Sequence, residues 1–154
     1  MIEAIFIWLG NTAPGLFLAG STAAFAATES VHIVALAVVG GVVLAADLAV
    51  LGIVLKRAST PAVLGQLRWL FTGALLLVAV SGVLLVAAGP YKYYTNPLFP
   101  LKLVLLAVAL IVQFVLQRRL RVRGSADHAA RLLAVASLVL WTAVVVAGRW
   151  LGLI

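Results

Sequence analysis

The chain has no cysteine, one methionine and only four acidic residues. Without cysteine it can form no structural disulfide, no iron–sulfur cluster and no thiolate metal site. With Met1 as its single methionine, it also offers copper little of the soft sulfur ligation that metal favours. Charge is scarce as well: 10% of the 154 residues are charged against 66% hydrophobic. No soluble domain of this size could bury so much apolar surface, so the solvent must be a bilayer. The net charge of +7 then reads as loop charge setting topology rather than as a surface for nucleic acid, and no nucleic-acid partner is expected.

What is present is four uncharged apolar runs, Ile33–Ala46, Trp69–Gly89, Leu103–Val112 and Leu132–Gly148. Extended to their natural stops they predict an all-α integral membrane four-helix bundle, with helices over about 28–55, 62–89, 98–121 and 127–151. Lys56 and Arg57 end the first, with Ser59, Thr60 and Pro61 forming a turn that can cap the second. Pro90 stops the second, Gly124 and Ser125 mark the third turn, and Asp127 suits the first turn of the fourth helix. Residues 1–27 are interrupted by Asn11, Thr12, Pro14 and Gly15, so they read as two short interfacial helices with Trp8 at headgroup depth, with a fifth, broken spanning helix as the alternative. This start carries Glu3 and no Lys or Arg, which is unlike the basic region of a signal peptide.

Basic residues divide unevenly between the two ends of such a bundle. Lys56, Arg57, Arg68, Arg118, Arg119, Arg121, Arg123 and Arg131 fall at one end; Lys92, Lys102 and Arg149 fall at the other. Eight against three predicts a multi-pass protein with the first end cytoplasmic and both termini facing outward.

Ionisable groups inside lipid are costly and mark candidate sites. Glu29 and His32 share one face near the outer end of the first helix, being three residues apart. Lys102 lies one turn inside the third helix and Arg149 at the outer end of the fourth, which places these groups within roughly 6 Å of one depth. Tyr91, Tyr93, Tyr94 and Trp150 occupy the same level, as an aromatic belt would. A neutral imidazole ligates haem iron, copper or zinc. Haem b would use His32 as axial ligand, Arg149 and Lys102 as propionate contacts, and Glu29 and Tyr94 as neighbours. The only other histidine, His128, starts the fourth helix at the opposite side, roughly 30 Å away. The iron would therefore be five-coordinate, or bound by Lys102, or shared between His32 of two subunits. Each group also has an ordinary reading: packing for His32, snorkelling for Lys102, interfacial anchoring for Arg149 and the tyrosines.

Deeper in the first helix stands Asp47, a lone carboxylate for which Arg68 is the expected structural ion-pair partner, with a proton relay as the alternative. Gly40, Gly41, Gly73, Ser81 and Gly82 are small residues that allow close helix packing.

Taken together, Glu29-Ser-Val-His32, Ala46-Asp47-Leu48, Leu51-Gly52, Ser81-Gly82, Tyr94-Thr-Asn96-Pro97-Leu-Phe99, Lys102, Ser137-Leu-Val-Leu-Trp141 and Gly148-Arg149-Trp150 resemble an uncharacterised bacterial four-helix membrane family carrying a domain of unknown function. The resemblance runs from about Thr28 to the C-terminus. It implies the fold and a bacterial inner-membrane location, and no activity. More distantly, the order of an early histidine, a glycine motif and a lysine is similar to copper-resistance D-type and HemJ-type (protoporphyrinogen oxidase) membrane proteins. The HemJ-type likeness implies haem b, with His32 and Lys102 in the places of that group's histidine and lysine. Gly148-Arg149-Trp150 is a departure from it. The leading expectation is thus a haem-b protein for redox or porphyrin chemistry at the outer face. The alternatives, which need no cofactor, are an accessory or assembly subunit of a larger membrane complex, and a small-ion or metal transporter. A homo-oligomer is compatible with all three. No catalytic residue is assigned.

Overall fold

In lipid every backbone N–H and C=O must be satisfied within the chain, which leaves an apolar sequence few choices besides helix. The computed structural model describes residues 2–54 and 60–153, with side chains described at 3–54 and 65–150. Its elements are α1 (Ile2–Gly10), α2 (Ala13–Gly20), α3 (Thr22–Val50), α4 (Thr60–Ala88), α5 (Pro90–Thr95), α6 (Leu98–Arg123) and α7 (His128–Leu153), with no strand among the described residues. Four stretches are long and apolar enough to cross a membrane: Thr22–Val50, Gly65–Ala88, Leu98–Arg123 and His128–Trp150. This is a multi-pass, all-α membrane bundle.

Hydroxyl caps explain the N-terminal boundaries. Thr12 Oγ1 accepts from Gly15 N at 3.3 Å and donates to Leu9 O at 2.7 Å, ending α1 and starting α2. Ser21 Oγ accepts from Ala24 N at 3.3 Å, so α3 begins at Thr22, six residues before the expected Thr28. At its far end α3 stops at Val50 rather than Leu55, where the chain turns through Gly52 at φ +74°, a conformation that favours glycine. Leu55, Lys56, Arg57 and Ser59 lie outside the described residues, as does Met1. The aromatic loop after Pro90 contains a further short helix, α5, with Pro90 at its start. Asn96 Oδ1 then accepts from Leu98 N at 2.9 Å and launches α6.

The spanning helices run up and down as two hairpins, α3–α4 and α6–α7, joined mainly through α3 against α7; α4 and α6 barely touch. Water does not drive helices together inside lipid, so tight van der Waals contact must do so, and small side chains permit it. The buried positions accordingly are alanine and valine for the most part. Ala35, Val39, Val43, Val78, Ala109, Trp141 and Val144 form one core cluster. Val50, Leu116, Leu120, Ala130 and Ala134 form another toward the opposite end. Large side chains such as Leu76, Val80, Ile111 and Phe114 point outward, where lipid receives them.

The short helices are seated on this bundle rather than only lying beside it. A Cβ at Gly15 would stand 2.9–3.0 Å from the carbonyl oxygens of Leu9, Gly10 and Ala87, so glycine lets α2 press onto α1 and α4. Phe6 of α1 packs on Tyr94 at 5.8 Å and on Phe99 at 5.9 Å between ring centroids.

At the opposite end one acidic residue ties the α6–α7 turn. Asp127 Oδ1 accepts from Ala130 N at 2.9 Å and caps α7. Arg119 donates to both of its oxygens, at 2.6 Å in the shortest contact, and Arg123 donates at 2.9 Å. Arg119 first, with Ala130 N–H and Arg123 adding, holds the Asp127 carboxyl well below the usual carboxylate range. Gly124, at φ +69°, closes α6 by donating its N–H to Leu120 O at 2.9 Å.

Candidate functional site

His32 lies on α3 about three turns from its start, above the Ala35–Val39 core and half-buried. Its Nδ1 is 2.8 Å from Ser81 Oγ of α4. A serine hydroxyl has one proton to give. That proton goes to the α4 backbone, because Ser81 Oγ lies 2.6 Å from Leu77 O and 3.3 Å from Val78 O. Ser81 can therefore only accept from the ring. His32 Nδ1–H is the donor, and Nε2 keeps its lone pair. An imidazole held in this way, with one nitrogen anchored and the other unprotonated, is the arrangement that orients a metal-ligating histidine.

Gly82 makes the approach possible. A Cβ there would lie 3.3 Å from His32 Cε1, tighter than ordinary contact, so the ring rests against bare backbone. Lys102 repeats the device in the second hairpin. A Cβ at Gly148 of α7 would lie 3.3 Å from both Cε and Nζ of Lys102. Two hairpins thus each present one basic side chain seated on a glycine of the neighbouring helix. The charges whose fields reach the His32 ring are those of Lys102 and Glu29. Small-residue packing was the expectation for Ser81 and Gly82; their partner is the histidine ring. Gly40, Gly41 and Gly73, by contrast, face open space, and no neighbouring helix uses them for close packing within the bundle.

The remaining expected residues gather less tightly. Glu29 is exposed and makes no ion pair among the described residues; the phenol of Tyr93 is pushed above its ordinary value first by burial and then by the field of the Glu29 charge. Arg149 follows the Lys102 seat directly but is itself exposed. Tyr94 is exposed and stacks on Phe6.

The expected Asp47–Arg68 ion pair is not formed. Arg68 is exposed, with its guanidinium 4.9 Å from the Trp69 ring centroid. Asp47 is fully buried, and among the described residues neither of its oxygens has a hydrogen-bond partner. The physical reason is facing: Asp47 turns into the bundle toward Ser137 of α7, whereas Arg68 turns outward. Ser137 in turn donates to Gln113 Oε1 of α6 at 2.8 Å. Gln113 and Ser137, 3% and 0% exposed, form a polar centre with Asp47 that charge counting alone overlooks. A groove of about 260 Å³ between α4 and α6, lined by Phe71, Leu110, Gln113, Phe114 and Gln117, opens beside it.

No group of three or more His, Cys, Asp or Glu capable of holding a metal ion occurs among the described residues. His128 is exposed at the α7 start, at the Arg119–Asp127 end of the bundle, and does not join His32.

A fold of four apolar helices with one oriented imidazole defines a class, an integral membrane protein, more than an activity. Within that class, the model of a family of unknown function, DUF6644, matches residues 2–154, and the chain belongs to that family. No curated protein and no solved structure matches it, so neither comparison extends to copper-resistance D-type or HemJ-type proteins.

Proposed function

We propose that the His32 end of the bundle binds haem b through His32 Nε2, as an outer-face redox or porphyrin-handling membrane protein. The carrying observation is the fixed tautomer: Ser81 accepts from Nδ1 because its own proton is committed to the α4 backbone. The donor set suits a haem better than a bare metal ion, which would need further protein ligands. Haem brings four nitrogens of its own and asks the protein for one or two axial groups. His32 would supply one. Lys102, seated on Gly148, would supply the second or meet a propionate, and Arg149 would meet the other. Bound there, haem would supply one-electron chemistry; the chain supplies ligation, orientation and exclusion of water. The resemblance to HemJ-type proteins supports the same pair of residues. In this reading the membrane is a bacterial inner membrane, the arginine-rich end is cytoplasmic, and both termini face outward.

The test is the visible spectrum of the protein purified after haem-sufficient expression, beside His32→Ala. A Soret band that His32→Ala removes or shifts supports the assignment; its absence from the wild type ends it.

A second reading rests on Gly41 and Gly73, which present exposed, open backbone on the outside of α3 and α4. Such bare faces suit a partner helix, as in an accessory subunit of a larger complex. That reading predicts that Gly41→Leu releases a stably co-purifying partner while the spectrum stays unchanged.

A further inference from the structure

Asp47, Ser137 and Gln113 carry chemistry that a site at His32 does not use. Asp47 is 0% exposed in the last turn of α3, with both oxygens unpartnered among the described residues. Its polar neighbour, Ser137, has a single proton, and that proton lies on Gln113 Oε1 at 2.8 Å. Ser137 therefore turns lone pairs, not a proton, toward the carboxyl. An ionised carboxylate facing lone pairs inside lipid would have no donor at all, which is the costliest arrangement available. A carboxylic acid facing the same lone pairs has an acceptor for its O–H.

Among the described residues no cation compensates Asp47; Lys56 and Arg57 lie outside them. On α4, Arg68 is exposed over Trp69. On α6, Lys102 is seated on Gly148, Arg119 and Arg123 are engaged with Asp127, and Arg118 and Arg121 are exposed. On α7, His128, Arg131 and Arg149 are exposed. On α3 itself, His32 lies fifteen residues away, roughly 22 Å along the axis.

We propose that Asp47 is a reversible proton-binding site inside the bundle, gated by the Ser137–Gln113 pair and reached through the groove between α4 and α6. In the loaded state a rotation of the Asp47 carboxyl brings its O–H onto Ser137 Oγ, while Ser137 O–H stays on Gln113 Oε1. On release the Asp47 O–H bond breaks and the proton leaves on a water admitted past Gln113. Ser137 then turns its O–H onto the carboxylate, and Gln113 rotates its amide so that N–H donates to Ser137 Oγ. The pair thus reverses polarity and satisfies both charge states with the same three side chains. Gln117, one turn along α6 and also lining the groove, leads toward the arginine-rich end. A bound metal cation is the less suited occupant, because hard cations want six or more oxygens and Gln113 Oε1 is already engaged.

Infrared difference spectroscopy of the full chain in lipid nanodiscs, titrated in pH, tests this without any cofactor. The wild type should show the carbonyl stretch of a buried carboxylic acid that converts to carboxylate at high pH, and isosteric Asp47→Asn should lack it. Ser137→Ala should keep the band and move its midpoint by about one pH unit, a tenfold change in proton affinity. A wild-type spectrum that matches Asp47→Asn throughout overturns the proposal. So does a midpoint that moves with sodium concentration, which would assign the site to a cation. Should Asp47→Asn fail to fold, the Ser137→Ala shift, present or absent, decides in the same way. Because His32→Ala leaves this band intact, failure here is distinguishable from failure at the haem site.

Discussion

Replacing Ser81 by alanine removes the acceptor from His32 Nδ1 while leaving α4 and its contacts in place. The bond is 2.8 Å long and part-buried. As an ordinary hydrogen bond it contributes about 0.5–1.5 kcal/mol, between twofold and about tenfold in an equilibrium constant. If Ser81 also fixes the tautomer and the ring plane, the loss in ligand affinity should reach the 10–100-fold typical of removing a partner behind a metal-bound histidine. The assay is haem titration of reconstituted Ser81→Ala by visible absorbance, with Ser30→Ala as control. Ser30 is an exposed serine of α3, the helix that carries His32, and bonds only to Ala26 O. We expect a 10–100-fold weaker Kd for Ser81→Ala and none for Ser30→Ala. Gly82→Ala should act in the same direction, because the new Cβ would sit 3.3 Å from Cε1 and push the ring by a few tenths of an ångström. If Ser81→Ala binds within twofold of wild type, the tautomer argument is refuted even if haem binds elsewhere.

Other outcomes follow from the same geometry. Gly148→Leu should displace the Lys102 amine from its seat and alter the spectrum or affinity of bound haem, whereas the outward Val146→Leu should do neither. Asp127→Ala should lower Tm and flatten its acid dependence. With the native carboxyl held below its unfolded value, its stabilisation is full above about pH 4 and fades only as pH falls further, which thermal melts at graded pH will show. Gly124→Ala should cost about 1–2 kcal/mol, since φ is +69° there, measurable as reduced resistance to denaturant. Arg68→Met should change stability by about 1 kcal/mol or less, because the side chain only overlies Trp69; a larger loss would restore the Asp47 ion pair.

The helices were legible because lipid forces a simple correspondence between apolar length and span. Boundaries slipped where polar caps sit in otherwise apolar sequence, as at Ser21, or where a glycine turns the chain, as at Gly52. The Asp47 partner was misread because charge complementarity was allowed to choose it, while facing decides. Hairpin register would have done better. Gln113 and Ser137 lie twelve residues either side of Ser125, and Lys102 and Gly148 lie twenty-three either side, so both contacts follow from an antiparallel pair centred on that turn. The tautomer of His32 was out of reach, since it depends on where the Ser81 proton goes.

The central claim is that His32 is a ligand and not a packing residue. The most direct measurement is the absorption spectrum of the haem-reconstituted chain, wild type against His32→Ala. The account predicts a Soret band in the wild type that is lost or shifted in the variant. Identical spectra, with or without a band, would contradict it.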